Sequence, residues 1–163
     1  MTSTEQVLQI VAWLLALLEV SAALYILVLN MRHPANRWAG GLLLLFAVNG
    51  FAVGQLLGVS DVDNARIPIL HLAAAAPAIS PTQLTTMLIL FKPEWLRGHG
   101  WWLKGLLYIL IALPSLLVLS DLFLETQFFY SGIDPSSYAG GYVVLSRYTN
   151  GQIGNLIRVF YIN

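Results

Sequence analysis

EQVLQIVAWLLALLEVSAALYILVLN, Glu5 to Asn30, is apolar over almost its whole length, with Glu19 as the only charged group after its first residue. About 20 such residues, at 1.5 Å rise each, cross a hydrocarbon layer roughly 30 Å thick. The stretch therefore predicts a transmembrane helix over 6–30. A cleaved signal peptide fits poorly: MTSTEQ supplies no basic n-region, the apolar run is too long, and no small-residue cleavage site follows it.

Working outward, the polar turn MRHPANRW (Met31 to Trp38) contains His33-Pro34, which ends the first helix, and AGGLLLLFAVNGFAVGQLLG supplies a second span over 39–58. The short acidic link VSDVDNAR leads to a third span over 67–91, interrupted by Pro77 and Pro81. Prolines inside a helix kink it, so these two are the expected hinge. KPEWLRGHGWWLKG mixes basic residues with Trp95, Trp101 and Trp102, the composition of a loop at headgroup level, and a fourth span follows over 105–123. Residues 124–154 are rich in Gly, Tyr and Ser, with a β-like run YVVLSRY and an Asn150-Gly151 turn, and read as an ordered cap outside the bilayer. NLIRVFYIN, over 155–163, turns apolar again and reads as the start of a fifth helix. The expected fold class is an all-α polytopic membrane bundle.

Composition agrees with that solvent. Of 163 residues, 58% are hydrophobic and 10% charged, with mean hydropathy +0.73, whereas a soluble domain carries roughly a quarter charged residues. The lipid bilayer is thus the first partner. Net charge is zero and no basic run exists to clamp phosphates, which excludes nucleic acid. There is no cysteine, so disulfides, thiolate metal sites and thiol nucleophiles are excluded as well.

Orientation follows from lysine and arginine. Arg32 and Arg37 lie in the first connection and Lys92, Arg97 and Lys104 in the third, whereas the second holds Asp61, Asp63 and only Arg66. The positive-inside rule puts the first and third connections in the cytoplasm and the N-terminus and cap outside, in a multi-pass protein of the cell (inner or plasma) membrane.

LYILVLNMRHPANRWAGGLLLLFAVNGF (24–51), FKPEWLRG (91–98) and the cap SGIDPSSYAGGYVVLSRYTNGQIG (131–154) together resemble the N-terminal seven-helix membrane region of bacterial sensor histidine kinases. The resemblance covers most of the chain and implies a sensory input module, cut at the start of its fifth helix. It implies a parent protein that is a histidine kinase of a two-component system, working as a homodimer, and no chemistry or cofactor within the bundle.

No glycine-rich phosphate loop, nucleophile elbow or HExxH helix occurs. Glu19 stands out because a charged carboxylate in mid-span costs on the order of 2.5–3.5 kcal/mol on insertion scales and tends to face the bundle interior. Depth counting puts Asn49, Ser80 and Gln83 at a similar level. These four form either a proton-sensitive or small-ligand pocket or simple hydrogen-bonding glue between helices. His71 and Asp121 fall near the outer face, and in the cap Asp134 and Arg147, with Tyr130, Tyr138, Tyr142 and Tyr148, are candidates for outward-facing recognition of an unknown small ligand. His33 and His99 lie in the basic connections, so no three-ligand metal spacing forms with His71, and no metal is expected. Gly50-xxx-Gly54 has the spacing of a close helix contact, within one chain or between two. The rival readings are a small transporter or channel subunit using Glu19, and a structural subunit of a larger complex.

Overall fold

A computed structural model describes residues 3–59, 62–96, 100–124 and 126, together with strand residues 130–133, 138–139, 142–143 and 148–150. Four helices form the body: α1 Ser3–Leu29, α2 Pro34–Gly58, α3 Val62–Phe91 and α4 Trp101–Leu124. Each is long and apolar enough to cross a membrane. None has a sharply one-sided apolar face, as befits helices with lipid on one side and other apolar helices on the other.

The second helix begins five residues before the expected boundary of 39. Pro34 occupies its first turn, where a fixed φ and a missing N–H cost nothing, so the first connection is much tighter than Met31 to Trp38. Asn30 closes it: its Oδ1 accepts the backbone N–H of Arg32 at 3.1 Å and of His33 at 3.2 Å. The third helix likewise starts within the acidic link, at Val62, and runs unbroken through Pro68, Pro77 and Pro81.

Packing follows chain order, α1 on α2, α2 on α3 and α3 on α4, so α3 is flanked by both neighbours. The interior is built mostly from alanines, among them Ala16, Ala23, Ala47, Ala52, Ala73, Ala75 and Ala78. The large side chains point out instead; Val28 is 83% exposed and Leu18 64%. This inverted arrangement is that of helices solvated by lipid, where small residues allow close approach and apolar bulk gains nothing by turning inward. Among the described residues Leu56, Ile69, Leu70 and Val118, with Ala65 and Ala73, form a buried cluster that joins α2, α3 and α4.

The α1–α2 seam is antiparallel and continuous. A Cβ at Gly40 would come within 2.8 Å of Leu27 Cγ, one at Gly50 within 3.5 Å of Ala16 Cβ, and one at Gly54 would overlap the Trp13 indole. Both residues of the Gly50-xxx-Gly54 pair therefore serve contact within the chain. Trp13 also stacks on Phe51, with centroids 6.4 Å apart.

Beyond α4, the described residues form two short antiparallel ladders. β1 (Tyr130–Ile133) pairs with β4 (Tyr148–Asn150), and β2 (Tyr138–Ala139) pairs with β3 (Tyr142–Val143). Residues 155–163, expected to start a fifth helix, lie outside the described residues.

Candidate functional site

Three polar regions can be built from the described side chains. The first is around Glu19. Its Oε2 would lie 3.7 Å from a Cβ at Gly50, so the carboxylate rests on α2 beside Asn49. Asn49 Oδ1 is buried, and among the described residues no donor reaches it. Ser80 and Gln83, expected to complete this cluster, are instead exposed on α3. Each helical residue turns about 100°, so residues at the right depth can still face the wrong way. The polar residues that α3 does bury are Thr82, Thr85 and Thr86. Thr85 Oγ1 donates to the Pro81 carbonyl at 2.7 Å and Thr86 Oγ1 to the Thr82 carbonyl at 2.8 Å.

The second region is the proline segment of α3. Pro77 and Pro81 are buried, and each removes one N–H from the helical ladder. The carbonyl of Ala74, beside the one that Pro77 leaves without its helical donor, accepts a hydrogen bond at 3.3 Å from Ser115 Oγ of α4. A hydroxyl on the neighbouring helix is thus tied to the backbone at the point where that backbone is weakest. Toward the end of α4, Asp121 is 2% exposed and accepts a 2.7 Å hydrogen bond from Thr126 Oγ1, which also meets Ser120 Oγ at 3.0 Å. His71 is half-buried on α3. Asp134 and Arg147 lie outside the described residues.

The third region was not legible as a site in the sequence. His33, Arg37 and Trp38 of the first hairpin, Thr85 and Ile89 of α3, Pro93 and Leu96 of the 3-10 turn Pro93–Leu96, and Lys104 and Tyr108 of α4 surround a cavity of about 610 Å³. The first and third connections therefore meet at one end of the bundle. Trp38 and Tyr108 pack across the gap between α2 and α4, with centroids 5.7 Å apart. Among the described residues no carboxylate lines the cavity and neither Arg37 nor Lys104 is in an ion pair, whereas nearby Lys92 pairs with Glu94 at 4.0 Å. The sequence signal was the basic, Trp-containing composition of both connections, which reads as interfacial anchoring until the fold brings the two together.

At the opposite end Gln9, Trp13, Gln55 and Asn64 border a shallower cleft of about 420 Å³, with Gln55 Oε1 buried and without a donor among the described residues. Among the described residues no group of three or more His, Asp or Glu is placed to hold a metal ion. No family model, curated protein or solved structure matches the chain.

Proposed function

We propose that the chain is a membrane-embedded input module that passes a signal by rearranging its helices, of the kind that precedes a histidine kinase in two-component sensors. In this reading the N-terminus is extracytoplasmic and the basic connections face the cytoplasm of a bacterial cell. The observation that carries it is the construction of α3. That helix lies between α2 and α4, contains Pro68, Pro77 and Pro81, packs largely through alanines, and is tied to α4 beside Pro77 by the Ser115 hydrogen bond. Interfaces made of small residues interlock little, and missing backbone bonds lower the cost of bending. Two conformations of α3 within about 1 kcal/mol of each other, so that both are populated, are what a ligand needs in order to shift a population visibly.

Absence of native cysteine makes the test direct. Spin labels on Leu29→Cys and Met87→Cys, both exposed positions near the basic end, report how the lower part of α3 moves against α1. In bilayers the expected distance distribution has two populations separated by roughly 2–5 Å, the range of helix shifts and one-turn steps. Pro77→Ala with Pro81→Ala should merge them into one. A single narrow population, unchanged by the alanines, would remove the hinge and with it the reading as a signal transmitter.

A further inference from the structure

We propose that the cavity where α2, α3 and α4 meet at the basic end binds the phosphate-bearing headgroup of an anionic phospholipid, with one acyl chain lying along the crevice between α2 and α4. Lipid binding here does not require α3 to flex. Arg37 and Lys104 line a cavity to which no carboxylate contributes among the described residues, and neither is neutralised by an ion pair among them; His33 adds a third nitrogen-bearing group. Two unpaired cations beside a sheltered cavity attract a compact anion, and guanidinium and ammonium groups are the usual protein partners of phosphate.

Depth and shape identify the anion's carrier. Trp38 lines the cavity, and Trp95, Trp101 and Trp102 are in the adjoining connection and first turn of α4, more than half exposed as headgroup-level rings are. A second cavity of about 380 Å³ shares Arg37, Trp38 and Tyr108 with the first and continues to Gly41 and Leu45 on α2 and Ile111 on α4. From Arg37 to Leu45 that is roughly 12 Å along the helix at 1.5 Å per residue. A cationic pocket leading into an apolar crevice has the polarity sequence of a phospholipid, and a soluble phosphate would leave the crevice empty. Gly41 keeps that crevice open: a Cβ there would meet nothing within 4 Å. Thr82 also lines it from α3.

The test uses the full chain, delipidated in mild detergent, with native mass spectrometry after addition of phosphatidylglycerol or phosphatidylcholine. One phosphatidylglycerol per chain is expected, bound about tenfold or more tightly than phosphatidylcholine, given two basic side chains at the membrane surface. Arg37→Ala with Lys104→Ala should bring the two lipids level, and Lys92→Ala, outside the cavity, should change nothing. Gly41→Leu, which the open space tolerates, should weaken phosphatidylglycerol several-fold without loss of helix content. Millimolar inorganic phosphate or glycerol phosphate should not displace the lipid. Equal binding of both lipids, retention of phosphatidylglycerol by the Arg37/Lys104 double variant, displacement by phosphate alone, or a dimer that forms in place of lipid binding would each overturn the proposal.

Discussion

Gly54→Leu is expected to destabilise the bundle by about 1–3 kcal/mol, the usual cost of overpacking a closed contact. A Cβ at this position already overlaps the Trp13 indole. Moving the indole aside would break its stacking on the Phe51 ring. In a bilayer the helices have no hydrophobic drive to reclose around the added bulk, since lipid tails solvate leucine as well as a neighbouring helix does. The loss therefore falls on the α1–α2 seam itself. Gly41→Leu is the matched control, placed on the same helix with open space around its Cβ, and should stay within about 0.5 kcal/mol. Unfolding by titration with SDS in mixed micelles reads both. If the two variants unfold at the same detergent fraction, the seam described between α1 and α2 is wrong.

Leu70→Ala is expected to cost about 2 kcal/mol, the low end of the 2–5 kcal/mol range for large-to-small changes in a core. Leu70 is 1% exposed within the cluster that joins α2, α3 and α4. The low end applies because the separated helices already hold leucine in lipid. The transfer term thus nearly vanishes and the lost packing around the cavity remains. Leu24→Ala, at 55% exposure on α1, should change stability by less than about 0.5 kcal/mol. The same SDS titration applies, and an exposed leucine costing as much as Leu70 would mean that the large outward side chains are covered by protein rather than by lipid.

What the sequence conveys is depth, and what it withholds is azimuth. Four spans, their order and the pairing of the two basic connections at one end could all be read from the lengths of apolar runs and from lysine and arginine. The start of α2 at Pro34 rather than 39 was legible in principle, since proline is favoured in a first helical turn; the polar residues around it masked the signal. Ser80 and Gln83 were placed at the level of Glu19 by counting, yet they face outward while Thr82, Thr85 and Thr86 face in. In a soluble helix an apolar stripe would have settled the matter. Here both sides of the helix are apolar environments, and the pattern that marks an inward face is largely erased. Small size marks it at some positions, as at Gly40, Ala52 and Gly54, but not at Gly41. The basic cavity escaped for a related reason: Arg37 and Lys104 are 67 positions apart in the sequence, and only the packing of α2 and α4 on α3 makes them neighbours of one space.

The proposed topology has the chain crossing the membrane with its N-terminus outside and its basic connections inside. Single cysteines at Thr4 and Met31, both exposed in a chain without native cysteine, can be challenged with a membrane-impermeant maleimide on intact cells and again after permeabilisation. Thr4→Cys is expected to be labelled in intact cells, and Met31→Cys only once the membrane is opened. Labelling of Met31→Cys in intact cells, with Thr4→Cys protected or equally reactive, would contradict it.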